Sequence, residues 1–500
     1  MASALRIARV KVASLHDTTE VHENVDIWIR DGRIAAITLP DSPPPIPGEV
    51  ETLSFRNALV LPGLVNAHSH SSSALGRGTI PGAPLDLFVM EAMAKRAPHT
   101  LRHVKVNALL QSLEMLKHGI TGVVDHFRCG AVPSVEAVGA VLEAYREIGI
   151  RAAVAPMFED KRYIDSLPID QAELPDDIRQ RWRGKNPPAA DDYFAMMEEV
   201  AIRWRKQDRL QLLLGVDGPQ RCTPRLLEMA GDFARRHGIG LHTHLLEAKT
   251  QALMAPPEHG GSFVAYLDSF GLIGPKSSLA HFVWCTNRDI ELAADRGVNV
   301  VNNPVSNLLL GSGLQPTARL LRAGVPVALG SDGTSGSRAS LFDQAKLSML
   351  LSRISEPDCE QWITAPQAFR MATANGARVL GEQDTLGVIK VGAHADLAII
   401  DLDTPTYQPL GDIWNHLVMY ETGSSVDTVI VGGDVVVRNG RCTTVNEEDL
   451  YAEAAALAEA ARVSDDTALA ATRAERPTFQ ALVLKALNTE IGVERFAHLQ

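Results

Sequence analysis

The chain has 500 residues, 45% hydrophobic and 22% charged, which is enough apolar material for a large core and more length than one ordinary domain takes. A net charge of −12 and a pI near 5.7 leave no basic field for nucleic acid or for an anionic membrane surface. Five cysteines (Cys129, Cys222, Cys285, Cys359 and Cys442) stand far apart without a C-x-x-C, which excludes a cysteine zinc site and a disulfide framework and fits a reducing cytoplasm.

The opening stretch MASALRIARVKVASLHD alternates like a strand and lacks the apolar run of a secretion signal, and no later run reaches the length of a membrane span. The expectation is a cytoplasmic protein with a small-molecule partner, no nucleic acid and no membrane. Within residues 1–57, "RIARVKVAS", "VDIWIRDGRIAAIT" and "ETLSFRNALVL" read as short strands joined by Gly and Asp turns. Next comes "LVNAHSHSSS" at 64–73. A strand begun by Leu61, Leu64 and Val65 projects His68 and His70 from one face, because side chains alternate with a period of two. Two imidazoles on one face can clamp a metal, although an isolated H-x-H is also the mark of idle surface histidines.

Helical periods follow at 101–119 and 135–149, interleaved with β-branched runs. Those runs are "GITGVVDHF" (119–127), "RAAVAPMF" (151–158), "LQLLLGV" (210–216), "IGLHTHLL" (239–246), "SSLAHFV" (277–283), "VNVVNN" (298–303) and "VPVALGSD" (325–332). With the strand ending at His70 they make eight, the pattern of an α/β chain folded as a (β/α)8 TIM-like barrel. An open doubly wound sheet fits less well, since no G-x-G-x-x-G follows the first strand and polar residues end many strands. After Gly387 short strands return in "ADLAIIDLD" and "DTVIVGGDVVVRNG", so one small β-sandwich built from both chain ends is expected. Beyond Asn446 the chain turns Ala- and Glu-rich and helical, suited to packing or to a homo-oligomer contact. The expected boundaries are 1–57 and 381–445 for the sandwich, 58–380 for the barrel and 446–500 for a helical extension.

Barrels collect reactive side chains at the carboxyl ends of their strands. There the first strand offers His68 and His70, the second His126, the fifth His244 with Glu247, the sixth His281 and the eighth Asp332. Three histidines and an aspartate suit zinc, or iron(II), with room for a water. Each residue has a plainer reading: His244 as an inert core ring, Asp332 as a turn former in "LGSDG", Glu247 as a helix-start carboxylate, His281 as a satisfied buried donor. Their co-occurrence at matching strand ends argues for the site, with His242 seated deeper as a supporting group.

"LPGLVNAHSH", "HTHLLE", "LAHF", "NNPVSNLLLGSG" and "ALGSDG", in that order, resemble the amidohydrolase superfamily. They look most like its mononuclear aminohydrolases, which include cytosine, guanine and S-adenosylhomocysteine deaminases and the triazine hydrolases. "LGVIKVGAHADLAIIDLD" and "VDTVIVGGDVVVRNGR" resemble the family's composite β-sandwich, and the likeness spans roughly residues 5–445. It implies one divalent ion on His68, His70, His244 and Asp332, a proton shuttle at Glu247, and a water-orienting role for His281. The fourth strand, "LQLLLGVDG", has no lysine that could bridge a second metal. The implied reaction is hydrolytic deamination of a small nitrogen heterocycle, with expulsion of chloride, a thiol or an amine from a triazine, thiocarbamate, urea or thiohydantoin as the alternative. A scaffold without activity is disfavoured because every ligand position is filled. One departure stands out: "DGPQRCTPRLL" carries Gln220 and Arg221 where many relatives read Pro-His-Ala-Pro. "PMFEDKRYID" and the segment 71–96 match no single substrate signature. Gln220, Arg221, His126, Glu159, Arg77 and Trp284 are the expected substrate-binding residues.

Overall fold

Apolar alternation at the amino terminus produces β1 (Ala4–Ala13), β2 (Val21–Arg30), β3 (Arg33–Thr38), β4 (Val50–Ser54) and β5 (Ala58–Pro62). The computed structural model describes residues 4–14, 19–79, 82–94, 100–130, 132–184, 187–204 and 207–496. Parts of the opening stretch (1–3, 15–17), of the segment 71–96 (80, 81, 95, 96) and of the carboxy-terminal extension (497–500) lie outside the described residues. Next in the chain come β6 (Leu64–His70), β7 (Ile120–Phe127), β8 (Arg151–Phe158), β9 (Leu210–Leu212) and β10 (Gly215–Val216). Then follow β11 (His242–Leu245), β12 (Ser278–His281), β13 (Asn299–Asn302), β14 (Val327–Leu329) and β15 (Asp332–Gly333). The last strands are β16 (Leu397–Asp401), β17 (Val426–Val431), β18 (Asp434–Arg438) and β19 (Arg441–Cys442).

Strands from the two ends of the chain pair into one nine-stranded sheet, β19-β18-β17-β16-β5-β1-β2-β3 with β4 on β1. β5 pairs antiparallel with β16 and parallel with β1, so this sheet runs on to Pro62 before Gly63 hands the chain to β6. Asp396, just ahead of β16, pairs with Arg151 at the start of β8 at 3.2 Å and accepts a hydrogen bond from Gly432 N, a buried tie between the two parts of the fold.

The middle of the chain is a mixed α/β assembly with two parallel sheets, β10-β8-β7-β6-β15 with β9 on β8, and β11-β12-β13-β14. A parallel bridge between Leu214 and Leu241 joins them on one side, and on the other β14 leads within two residues into β15, which pairs with β6. β7 and β8 are buried along their whole length, as strands covered by helices on one face and by core on the other must be. Side chains from both sheets, among them Val65, Val124, Ala155, Leu213, Val301 and Ala328, meet in one apolar cluster. The intervening helices begin at Thr100, Ser134, Thr223 and Thr286, whose hydroxyls accept from the third helical amide, and three of them end at Gly149, Gly238 and Gly297 in the left-handed conformation.

Two expected strands are broken. The fourth run divides into β9 and β10 because Leu214 turns to pair with Leu241, while Gly215 lies so near the carbonyls of Ala155 and Pro156 that a Cβ would sit 2.3 Å from Pro156 O. The eighth divides into β14 and β15 because Gly330 passes beneath His68 and Asp332 takes a positive φ of 59°. Within the 446–500 extension one helix spans Glu447–Leu487. Its Phe479 and Leu482 pack with Leu87, Met90, Tyr163 and Trp182. Among the described residues no helix is long and apolar enough to cross a membrane.

Candidate active site

The strand ends of β6, β11, β12 and β15 bring His68, His70, His244, His281, Glu247 and Asp332 together. Each of the first three histidines has its Nδ1 occupied. His70 Nδ1 lies 2.7 Å from His126 O, and His244 Nδ1 lies 2.9 Å from Asp217 O and 3.0 Å from Asp217 Oδ1. His68 Nδ1 meets His242 Nε2 at 2.7 Å, and His242 Nδ1 meets Ser278 Oγ at 2.6 Å. Donation outward from Nδ1 leaves the Nε2 lone pairs facing inward. There His70 Nε2 is 3.2 Å from His244 Nε2, and Asp332 Oδ1 is 3.2 Å from His70 Nε2 and 3.4 Å from His68 Nε2.

Two lone-pair nitrogens facing each other beside a carboxylate repel unless a cation lies between them. The buried His68 Nε2 and His281 Nε2 have no hydrogen-bond partner among the described residues, which fits the same conclusion. His68, His70 and Asp332 present ligand atoms within 4.8 Å of one another, as do His68, His244 and His281. Burial pushes the His68 ring well below its ordinary pKa, so it stays a neutral donor. Burial also opposes charge on Asp332, but the adjacent His68 and His70 rings hold its carboxyl well below the usual range.

His281 Nδ1 lies 2.9 Å from Asn307 Oδ1, which makes Nε2 the acceptor, 3.7 Å from Glu247 Oε2 and 3.8 Å from Asp332 Oδ2. Burial pushes the Glu247 carboxyl up to about 8. Ser306 Oγ donates to Asp332 Oδ2 at 2.5 Å. Ser306 and Asn307 come from the helix Pro304–Leu309, one turn after Asn303, so the "NNPVSN" stretch supports both Asp332 and His281. The sequence pattern alone gives those two residues no role, and it does not reveal Asp217, which holds His244 while its Oδ2 accepts from Arg221 at 2.7 Å and from Arg128 at 3.2 Å.

The expected substrate-binding residues divide. Gln220 accepts from Gln251 Nε2 at 2.6 Å, and Gln251 in turn accepts from Glu247 N, so Gln220 reaches the Glu247 loop. Arg221 is held by Asp217 with its buried Nε unpartnered among the described residues, and Glu159 pairs with Arg128 at 3.0 Å. His126 is fully buried beside the cluster, its ring centre 4.7 Å from that of His244, and both of its ring nitrogens lack a hydrogen-bond partner among the described residues. Arg77 turns to Glu114 at 2.7 Å, and Trp284 is buried with its Nε1 donating to Ser312 O at 2.7 Å, so both are engaged in packing and the structure does not bring them to the cluster. Long side chains choose such partners by tertiary contact, which spacing does not reveal.

Residues 59–436 match the model of the amidohydrolase family. The chain belongs to that family. It is a hydrolase acting on carbon–nitrogen bonds. A 5'-deoxyadenosine deaminase of Methanosarcina mazei is 31% identical over 418 residues, covering 81% of this chain and 87% of that protein. A 5-methylthioadenosine/S-adenosylhomocysteine deaminase of Thermococcus onnurineus is 34% identical over 387 residues, covering 77% and 84%. Among solved structures, a zinc-bound adenosine deaminase from Xanthomonas campestris superposes with a TM-score of 0.81 at 26% identity, covering 92% of this chain and 99% of that one. An atrazine chlorohydrolase from Arthrobacter aurescens TC1 complexed with zinc gives 0.78 at 25% identity, covering 91% and 100%.

Proposed function

We propose that this amidohydrolase removes the amino group of an adenosine-derived nucleoside by hydrolysis, with one divalent ion, zinc, held by His68, His70, His244 and Asp332. The observation that carries the metal reading is that His68 and His70 Nε2 converge on Asp332 while His244 Nε2 faces His70 Nε2, each ring fixed from behind through its Nδ1. The relatives' names support the substrate class, and the zinc in two structural neighbours supports the choice of ion. The bridge at Leu214, the β14–β15 passage and the shared apolar cluster support a single closed (β/α)8 barrel, with the nine-stranded sheet as a β-sandwich domain reaching Pro62.

When bound, such an ion lowers the pKa of a water toward neutrality and supplies hydroxide. The chain's own groups then divide the proton transfers. Asp332, steadied by Ser306, takes the proton that the water gives up. His281, with Nε2 as acceptor, orients the attacking oxygen toward the amidine-like carbon. Glu247, protonated near neutral pH by its burial, donates to the adjacent ring nitrogen. It regains a proton from Asp332 and passes it to the amino group, which leaves as ammonia while the hydroxyl on that carbon becomes a carbonyl and its proton returns Glu247 to the acid form.

A screen for ammonia release by the zinc-loaded protein tests the reading, using adenosine, 5'-deoxyadenosine, 5'-methylthioadenosine, S-adenosylhomocysteine, guanine and atrazine. Ammonia from one of the adenosine derivatives is the expected result. Silence toward all of them, with chloride released from atrazine, would contradict it.

A further inference from the structure

We propose that the carboxy-terminal segment 447–496 clamps the two loops carrying Glu247 and His281, with Lys249 and Arg495 as positioning residues. The inference rests on the roles given above to Glu247 and His281. Those loops are strained: Leu246, His281 and Phe282 have φ of 52°, 73° and 47°, left-handed values that bulky residues adopt only where their surroundings enforce them.

Arg495 supplies part of that enforcement. Its Nε donates to Val283 O at 2.9 Å and its Nη2 to Cys285 O at 2.8 Å, on the residues that follow His281 and Phe282. Its own carbonyl accepts from Leu314 N, and Phe496 stands edge-on to Trp284 with ring centres 4.9 Å apart. The amides of Val283 and Trp284 both donate to Leu246 O, so the hold on one loop passes to the residue before Glu247.

Lys249, two residues after Glu247, makes the second tie. Its buried ammonium donates to Leu487 O at 2.8 Å and lies 5.6 Å above the Trp284 ring. Leu487 ends the helix Glu447–Leu487, where carbonyls lack intrahelical partners and the helix dipole is negative, so a cation is the fitting cap. The helix is itself anchored elsewhere, because Arg473 and Arg476 reach the buried Glu91 and Trp182 Nε1 donates to Glu475 Oε2 at 2.9 Å. Lys249, Trp284, Phe496 and Arg495 thus form one joint between the extension and both loops.

The test uses the full-length, zinc-loaded protein with 5'-deoxyadenosine as probe. Lys249→Met and Arg495→Met should each lower kcat roughly ten- to hundredfold, the penalty of slightly misplaced groups, with KM within about twofold and zinc content unchanged. Lys249→Arg should recover most of the loss. A kcat within twofold of the parent in both Met variants overturns the proposal, and so does a loss confined to KM. If Glu247→Gln is inactive while Lys249→Met is fully active, only the clamp fails; if Glu247→Gln is active, the proton-shuttle reading fails. Hydrogen exchange on the unaltered protein needs no variant and no turnover: residues 283–285 and 484–496 should open as one unit, and separate opening overturns the clamp.

Discussion

Asp217→Asn removes a single charge from behind the metal cluster and leaves the shape almost unchanged. In the parent, Asp217 Oδ1 is 3.0 Å from His244 Nδ1, and Oδ2 is 2.7 Å from Arg221 and 3.2 Å from Arg128. The main-chain carbonyl of Asp217, 2.9 Å from the same Nδ1, survives the substitution. His244 therefore keeps its orientation but loses the carboxylate that makes its ring a stronger donor. Loss of such an outer partner weakens metal binding by about 10- to 100-fold, and the surviving carbonyl places the expectation near tenfold, about 1.4 kcal/mol. Stability should also fall. Arg128 keeps Glu159 at 3.0 Å, so Arg221 is the guanidinium left without its acid, and removing one member of a buried pair costs about 3 kcal/mol. Burial opposes the charge on Asp217, but Arg221, His244 and Arg128 hold its pKa well below the ordinary value. The stability it contributes is therefore present above the unfolded pKa of about 3.9 and fades as pH falls toward the folded value, so the gap between parent and variant should close in acid. Competition for zinc against a chelator, followed by thermal melting at several pH values, reads both effects. Zinc affinity within twofold of the parent would refute the assignment of Asp217 as the group that tunes His244.

Gly330→Ala should destabilise by about 1–3 kcal/mol and loosen zinc, because a Cβ there would lie 2.3 Å from Asn303 Oδ1 and 2.7 Å from His68 Cβ; parental melting and zinc retention would contradict this. Asp396→Ala should lower stability by about 3–5 kcal/mol, since it strands the buried Arg151, while zinc affinity, set at the opposite strand ends, stays unchanged. Chemical denaturation with a parallel zinc titration separates those outcomes.

His68 and His70 were legible because a strand alternates its faces, and His244, His281 and Asp332 because each closes a β-branched run. The structure places all five in one cluster, though their roles there are proposals. Asp217 was not legible: it turns to His244 only because the fourth strand breaks at Leu213–Leu214 and restarts as β10, and a continuous apolar run gives no sign of that break. The roles of Ser306 and Asn307 depend on a six-residue helix entering beside β13, a placement that spacing alone cannot supply. Arg77, Trp284 and His126, expected to bind substrate, have surroundings that spacing does not reveal: Arg77 meets Glu114, Trp284 meets Ser312, and His126 sits among four other rings. The Ala- and Glu-rich composition beyond Asn446 points to a helix suited to packing or to a homo-oligomer contact. The extension's contacts with Lys249 and with Val283–Cys285 appear only once the distant loops are brought together.

Glu247→Gln tests the central claim most directly. Gln is nearly isosteric but cannot carry the proton that the buried carboxyl holds up to about 8. Zinc content and ammonia release should be measured on the same preparation with the best nucleoside of the screen. Unchanged zinc with turnover reduced by roughly two to four orders of magnitude is the predicted result. Near-normal ammonia release, or loss of the metal, would contradict the account.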